Sequence, residues 1–300
     1  MAPPAHASSR DDVPRALAWM AASGLSFALM GASVKLAGDL PVALKVCVRN
    51  LVTLGLTTLV MVRTRQNPFA RTPHWPLLLG RALCGLLGVW FYFVALGSLT
   101  LADASLLNKT SPFFATLLAV VLLREPLVRG MRPALLVAFL GAVLVIKPAF
   151  DYSPLPALAG IASGLFAGAA YAAVRSLKGR SDPNRIIFTF SLVSTLATLP
   201  FALLQRPDPT AGQWWALAGT GVFAAGGQYG LTFAYHHARV NKVAVFSYLH
   251  VLFALAVGFA VWGERPDLLS LVGGGLILAA AALAHRAGTR ADVRTNRDTA

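Results

Sequence analysis

Residues 104–123 read ASLLNKTSPFFATLLAVVLL, and this stretch decides the fold. Twenty predominantly apolar residues at helical rise give a rod about 30 Å long, which matches the hydrocarbon thickness of a bilayer. The stretch nevertheless contains Asn108 and Lys109, followed by Pro112. A lysine that faces lipid at mid-bilayer costs about 2.5 to 3.5 kcal/mol, so we expect Lys109 to face a polar partner or a water-filled cavity. Residues 104–123 are therefore predicted to be a membrane span that forms part of a cavity wall.

The composition of the whole chain indicates the same class of protein. Of 300 residues, 56% are hydrophobic and 13% are charged, about half the charged fraction of an ordinary soluble domain. A net charge of +14 is also compatible with nucleic-acid binding. Most of the basic residues, however, lie in short loops between apolar runs, which is typical of an oriented membrane protein. We therefore predict a polytopic membrane protein whose partner is the lipid bilayer and not nucleic acid.

Ten apolar runs are predicted to be membrane spans, and we number them 1 to 10. They cover approximately residues 16–37, 42–62, 76–97, 104–123, 133–148, 155–174, 186–204, 213–235, 242–262 and 268–285. The Pro-, Ala- and Ser-rich residues 1–14 are predicted to be a disordered tail, and a signal peptide is disfavoured because Asp11 and Asp12 interrupt its basic region. Residues 287–300 are predicted to be a disordered cytoplasmic tail. The short connections leave no room for a soluble domain.

The loop charges predict the orientation of these spans. One set of alternate loops and both termini carry 18 Lys and Arg residues, whereas the opposite set carries only Arg206 and Arg265. Cytoplasmic loops of membrane proteins carry an excess of Lys and Arg. Both termini are therefore predicted to be cytoplasmic, in a multi-pass protein of the bacterial inner (plasma) membrane.

The chain repeats itself with a period near 140 residues. Ala22-Ser23-Gly24-Leu25 and Val34-Lys35 recur as Ala162-Ser163-Gly164-Leu165 and Val174-Arg175, and Arg124-Glu125-Pro126 corresponds to Glu264-Arg265-Pro266. This periodicity predicts two repeats of five spans each, residues 15–148 and 155–286. Because five is odd, the second repeat enters the membrane in the opposite sense. The predicted fold class is an all-α membrane protein with ten transmembrane helices in two inverted five-helix repeats.

Several short motifs in these spans resemble the EamA branch of the drug/metabolite transporter superfamily. The motifs are Ala95-Leu96, Leu101-Ala102-Asp103-Ala104, Ser111-Pro112-Phe113, Glu125-Pro126, Phe246-Ser247-Tyr248 and Gly263-Glu264-Arg265-Pro266. The resemblance covers residues 15–286. It implies a basket-like transporter with a central cavity walled by spans 1, 3, 4, 6, 8 and 9, in a family whose members mostly export amino acids and other small metabolites. Lys109 departs from the family, because many relatives carry an uncharged residue there.

Basic residues inside the spans indicate an anionic substrate. There are six of them, Lys35, Lys45, Arg49, Arg81, Lys109 and Lys147, whereas no acidic residue lies well inside a span. Arg49 and Lys109 lie about 8 to 10 Å from the predicted outer boundary, and we predict that they bind the anionic group of a substrate. Lys35 is a further candidate, although Lys35, Lys45 and Lys147 could also snorkel or pair with Asp39, Asp103 or Asp151. Arg81 is predicted to be a snorkelling anchor near the cytoplasmic end of span 3.

Uncharged polar residues complete the predicted substrate site. They are Asn108, Tyr92, Tyr171, Gln228, Tyr229, Tyr248 and His250. A phenol or amide inside a membrane requires a hydrogen-bond partner, which a substrate or a neighbouring helix can supply. For His250 we expect a neutral, hydrogen-bonded imidazole, and the alternative is a proton carrier, for which it is the best candidate in a chain without a buried carboxylate.

Motifs of other function classes are absent from the sequence. It contains no phosphate-binding loop, no His/Glu metal spacing and no Gly-x-Ser-x-Gly nucleophile elbow. We therefore predict no catalytic residue, no metal site and no cofactor. The predicted function is secondary active transport by alternating access, with export of a small anionic or zwitterionic metabolite that is amino-acid-like or otherwise carries a carboxylate or phosphate. The alternative is a membrane enzyme or lipid-handling protein that acts on an anionic head group. The protein is predicted to be a monomer or a homodimer.

Overall fold

The computed structural model describes residues 12–70, 72–123, 131–146, 154–177, 180–237 and 247–298. Within these ranges all regular elements are helices, and each predicted span corresponds to one helix or, for span 4, to two. In chain order they are Val13–Leu36 (span 1), Val42–Arg63 (span 2), Trp75–Leu96 (span 3), Leu101–Asn108 and Ser111–Leu123 (span 4), Met131–Ile146 (span 5), Leu155–Leu177 (span 6), Pro183–Leu204 (span 7), Ala211–His237 (span 8), Leu249–Trp262 (span 9) and Leu268–Asp298 (span 10).

The surface of the helical bundle is apolar. Large side chains such as Leu204 and Trp215 are 80% exposed, and a contiguous surface of this kind requires lipid or a partner to cover it. In the described part of the chain, five helices are each long and apolar enough to cross a membrane. They are Pro14–Leu36, Val42–Arg63, Trp75–Leu96, Leu155–Val174 and Pro183–Leu204, and Leu249–Trp262 and Leu268–Ala280 are shorter apolar helices.

Span 4 is broken at Lys109. The first helix ends at Asn108, and the second begins at Ser111. Pro112 explains the break, because its ring has no N–H and clashes with the carbonyl of the residue four positions earlier, which is Asn108. Thr110 closes the first helix by donating a hydrogen bond from Oγ1 to the Leu107 carbonyl at 2.6 Å. The first helix thus ends one turn before Pro112, and Lys109 lies at the break.

The helix pairs show the symmetry of the two repeats. Span 1 packs against span 8 as span 6 packs against span 3, and span 1 contacts span 9 as span 6 contacts span 4. Spans 2 and 7, 4 and 9, and 5 and 10 pack against each other. Exchanging each span with the one five positions away reproduces all of these pairs. This is the arrangement expected for two five-helix repeats related by a pseudo-two-fold axis in the membrane plane.

Glycines of span 6 permit its close approach to the break in span 4. A Cβ atom on Gly168 would lie 2.7 Å from the Ser111 carbonyl oxygen, and one on Gly164 would collide with Thr110 Oγ1. The matching position of the first repeat is Gly24, where a Cβ would lie 3.0 Å from the His250 backbone nitrogen. Small residues therefore bring backbone against backbone on both sides of the symmetry axis.

The two predicted tails differ in what the structure describes. Residues 1–11 lie outside the described ranges, and the first helix begins at Val13. The helix of span 10 continues to Asp298, so most of the segment 287–300 is helical where a disordered tail was expected. Its alanine and arginine residues have high helix propensity, which lets the helix extend beyond the apolar part.

Candidate substrate site

A central cavity lies between the two repeats. It encloses about 700 Å³ of empty space, counting the part that opens to solvent. The lining residues are Phe27 and Met30 of span 1, Arg49 of span 2, Arg81, Gly85, Gly88, Val89 and Tyr92 of span 3, Asn108 and Lys109 of span 4, Ala167, Ala170 and Tyr171 of span 6, Phe190 of span 7, Gln228 of span 8 and His250 of span 9. Three cations therefore line this cavity, and the described residues of its wall include no Asp or Glu.

Arg49 and Arg81 lie on the same aromatic ring. Their guanidinium carbons are 5.3 Å and 4.5 Å from the centroid of the Phe190 ring, a distance at which the ring attracts a cation. Arg49 is 1% exposed and Arg81 is 7% exposed. Arg49 Nη1 donates to Asn50 Oδ1 at 2.7 Å, whereas Arg49 Nε and both Nε and Nη1 of Arg81 have no hydrogen-bond partner among the described residues. The side chains of Arg49 and Arg81 line the cavity, while these three nitrogen atoms are themselves buried.

Lys109 is placed by the break in span 4. It forms the C-cap of helix Leu101–Asn108, and its carbonyl oxygen accepts a hydrogen bond from the Tyr248 hydroxyl at 3.3 Å. Because the helix ends here, the ammonium group reaches the cavity instead of lying along a helix that faces lipid. Three cations of the first repeat, Arg49, Arg81 and Lys109, therefore line one cavity.

Neutral polar groups in the wall are partly engaged by neighbouring helices. Asn108 Nδ2 donates to Ser163 Oγ at 3.1 Å, and the Tyr92 hydroxyl lies 3.1 Å from Ser105 Oγ. His250 packs beside Phe27, with the ring centroids 6.2 Å apart. Neither of its ring nitrogens has a hydrogen-bond partner within the described ranges. The hydrogen-bonded imidazole that we expected for His250 is therefore not found within those ranges.

Seven of the ten residues predicted for the substrate site line this cavity. They are Arg49, Tyr92, Asn108, Lys109, Tyr171, Gln228 and His250. The remaining three lie elsewhere. Tyr229 packs against Phe233 at a centroid distance of 6.4 Å, Tyr248 contacts the backbone of Lys109 without lining the cavity, and Lys35 lines a second cavity. The direct contact of these residues with a substrate remains a prediction.

Arg81 does not snorkel, contrary to our prediction. The position near a span end suggested an anchor at the membrane surface, yet the side chain turns inward and lines the cavity. The sequence contained a signal for this, because Arg81, Gly85, Gly88 and Tyr92 follow each other at spacings of four, three and four residues. Such residues share one face of a helix, so the face that carries Tyr92 also carries Arg81.

The wall includes two spans that the family resemblance did not imply. Span 2 contributes Arg49 and span 7 contributes Phe190. Phe190 could not be predicted from the sequence, because one phenylalanine among many in an apolar helix is an ordinary packing residue. Its significance depends on the two arginines from other helices that meet on its ring.

A second, smaller cavity lies on the face predicted to be external, and we call it the outer cavity. Its lining residues are Val34, Lys35, Gly38, Asp39, Lys45, Leu96 and Gly97. Lys35 forms an ion pair with Glu264 and also donates to the Leu99 carbonyl at 3.1 Å. We expected a neighbouring aspartate as the alternative partner of Lys35, whereas the actual partner comes from the loop after span 9. Lys45 donates to the Gly38 carbonyl at 2.5 Å.

Comparison with known proteins identifies related sequences and structures. The chain is 36% identical to the pseudopaline exporter CntI of Pseudomonas aeruginosa strain UCBPP-PA14, over 86% of this chain and 91% of that protein. It is 26% identical to a riboflavin transporter of Vibrio cholerae, over 87% of this chain and 89% of that protein. A solved crystal structure superposes with a TM-score of 0.66 and 18% identity, covering 90% of this chain and 96% of that one, which shows a shared fold.

The sequence profile of the EamA-like transporter family matches the chain twice, at residues 14–147 and 155–286. The two matches correspond to the two five-helix repeats, and the related proteins of known function are transporters of small metabolites. This excludes the membrane enzyme that we kept as the alternative and confirms a multi-pass membrane transporter. The chain belongs to the EamA-like transporter family.

Proposed function

We propose that this transporter exports a small organic metabolite that carries acidic groups, by alternating access of the central cavity to the two sides of the membrane. One observation carries the proposal: Arg49, Arg81 and Lys109 surround one cavity whose described wall contains no carboxylate. Arg49 and Arg81 are buried and Lys109 is half-buried. Cations that repel each other in a medium of low dielectric constant are unfavourable without a counter-charge. An anionic substrate supplies that charge at the moment of binding.

The number of cations favours a substrate with more than one acidic group. A single carboxylate neutralises one charge, whereas three cations line the cavity. The arginines are suited to planar, bidentate binding of a carboxylate or phosphate, while the lysine acts as a point charge. Phe27, Tyr92 and Phe190 offer an aromatic surface for the apolar part of the molecule.

The direction of transport is inferred from the relative that is named as an exporter. We infer export from the cytoplasm for this chain as well, across a bacterial inner membrane with both termini cytoplasmic. The excess of Lys and Arg in alternate loops supports this orientation. A tag on either terminus of the full chain should resist protease added to intact cells and should be cleaved once the cells are opened.

The test begins with identification of a substrate and continues with purified protein. Metabolites inside and outside cells with and without the protein are compared, and the exported compound is then measured in proteoliposomes. We expect Lys109→Ala and Arg49→Ala to abolish transport, because loss of a buried charge that binds an opposite charge costs about 2 to 5 kcal/mol. Arg63→Ala is the matched control, since Arg63 is an exposed arginine at the end of the same helix as Arg49.

The anionic site would be disproved if both cavity variants, correctly folded by size-exclusion chromatography, transported the compound at the normal rate. A preference for a neutral compound over its acidic analogue would contradict the proposed substrate class while leaving alternating access in place.

A further inference from the structure

The ion pair of Lys35 and Glu264 joins three separate parts of the chain. Lys35 lies in the last turn of span 1, and Glu264 follows span 9. Glu264 Oε2 also accepts a hydrogen bond from the Leu101 backbone N–H at 2.8 Å, at the start of span 4. Lys35 donates to the Leu99 carbonyl in the loop between spans 3 and 4, and its ammonium lies 5.4 Å from the centroid of the Trp262 ring. The pair therefore holds the ends of spans 1, 4 and 9 together.

The backbone around Glu264 is shaped to hold this carboxylate in place. Gly263 adopts a φ of +66°, which ends span 9 and turns the chain back on itself. The Glu264 side chain then lies along the helix it follows, where a Cβ on Gly258 would be 2.6 Å from its Oε2 atom. The two side chains of the pair are only 16% and 14% exposed. In such surroundings the two charges stabilise each other, whereas either charge without its partner is unfavourable.

The pair lies above a thin layer that separates the central cavity from the outer cavity. Along three helices, the lining residue changes from one cavity to the other over four residues, about 6 Å or just over one turn. The changes run from Met30 to Val34 in span 1, from Arg49 to Lys45 in span 2 and from Tyr92 to Leu96 in span 3. A route from the substrate site to the external face therefore has one turn of packed side chains to cross.

That layer is apolar and tightly packed. Leu96 is 1% exposed and Leu101 is fully buried. A Cβ on Gly31 would lie 2.7 Å from a methyl carbon of Leu101, so span 1 touches the start of span 4 directly. Opening the layer requires spans 1 and 4 to separate, which the ion pair above it opposes.

We propose that Lys35 and Glu264 form an external latch, which keeps the central cavity closed toward the outside and breaks when the transporter opens to release its substrate. Lys35 then acts on transport through the position of spans 1, 4 and 9, and not as a ligand in the central cavity. The latch presupposes the alternating access proposed above but is independent of the chemistry of the substrate. Glu125 and Arg175 occupy the corresponding sequence positions of the other repeat, and Glu125 and the Arg175 side chain lie outside the described part of the structure.

The test measures access to the central cavity from outside without any substrate. Cys47 and Cys84 are replaced by alanine in the full chain, and Met30→Cys places one thiol in the central cavity, just below the packed layer. Intact cells are treated with a negatively charged, membrane-impermeant methanethiosulfonate reagent, whose charge suits a cation-rich cavity. Gly97→Cys in the outer cavity, used in place of Met30→Cys, verifies that the reagent reaches that cavity equally in all variants.

We expect labelling of the thiol introduced by Met30→Cys to be at least fivefold faster in Lys35→Met and in Glu264→Gln. The double variant should be no faster than the faster single variant, because each change already removes the pair. Lys45→Met is the matched control, since Lys45 lines the same outer cavity without contacting Glu264, and its labelling rate should not change. Glu264→Gln keeps the shape of the original residue and an oxygen that can still accept a hydrogen bond from the Leu101 N–H. If Lys35→Met does not fold, the labelling rate in Glu264→Gln alone tests the latch.

Unchanged labelling in Glu264→Gln would overturn the latch, as would an equal acceleration by Lys45→Met. Because the assay needs no substrate, such a result would leave the anionic site intact. Conversely, failure to transport any acidic compound would leave the labelling result interpretable.

Discussion

Cations line both the central cavity and the outer cavity, but the groups that surround them differ. In the outer cavity Lys35 is neutralised by Glu264, and Lys45 donates to a backbone carbonyl. In the central cavity, Arg49, Arg81 and Lys109 meet no acidic residue in the described wall. A cation with a built-in partner holds helices together, whereas a buried cation without one is suited to bind a ligand. In this protein, the positions of the carboxylates thus distinguish the cation that holds helices together from the cations that are proposed to bind the substrate.

The largest predicted effect comes from a comparison of two variants, each of which lacks one cation of one cavity. We expect Arg81→Met to lower the ratio of maximal transport rate to half-saturating concentration by about 100-fold, equivalent to about 2.7 kcal/mol. Lys45→Met in the outer cavity should change it less than about twofold, because the Gly38 carbonyl and Asp39, with which Lys45 interacts, belong to the outer cavity and not to the proposed substrate site. Transport into proteoliposomes measures both. A smaller loss for Arg81→Met than for Lys45→Met would mean that charge in the central cavity does not bind the substrate.

A second prediction concerns the aromatic ring between the two arginines. Phe190→Leu keeps an apolar side chain but removes the ring that attracts both guanidinium groups. We expect the half-saturating substrate concentration to rise about fivefold, equivalent to about 1 kcal/mol of cation–π interaction. Phe188→Leu is the control on the same helix, because Phe188 packs against Phe69 and does not line the central cavity. Equal effects of the two substitutions would assign Phe190 a packing role only.

The smallest predicted effect tests the shape of the central cavity. A Cβ on Gly85 would lie 2.9 Å from Phe190 and 3.4 Å from Arg81 Nη1, whereas one on Gly80 would meet nothing within 4 Å. Gly85→Ala should therefore displace the ring and raise the half-saturating concentration about twofold to threefold through overpacking. Gly80→Ala on the same helix should leave it unchanged. If Gly80→Ala had the larger effect, the packing of Arg81 against Phe190 near Gly85 would not control substrate affinity.

The location of a cation in the cavity wall could be predicted where the chemistry of the residue alone required a cavity, whereas its contact with a substrate stays a prediction. Lys109 and Arg49 are too deep in their spans to reach the membrane surface, so any fold had to turn them inward. Arg81 and Lys35 were misjudged for a common reason, since both lie near span ends where snorkelling is possible. Arg81 instead turns toward Phe190 of span 7, and Lys35 turns toward Glu264 from the loop after span 9. Neither partner is near in sequence, so spacing could not identify it.

The fold was predictable from local properties of the chain. Apolar runs of spanning length, the asymmetry of loop charges and the internal repeat determine ten spans in two five-helix units, because each signal arises from the bilayer and not from a particular neighbour. The break in span 4 also follows from Pro112, although its location at Lys109 was recognised only in the structure.

The sequence by itself determined that this protein is a ten-span transporter with cations inside the membrane. Only the tertiary structure decided which of these cations are neutralised and which remain available. The physical reason is that hydrophobic length is a property of each segment, whereas the pairing of a charge depends on the distance to groups from other helices. That distance is set by how the two repeats pack around the central cavity.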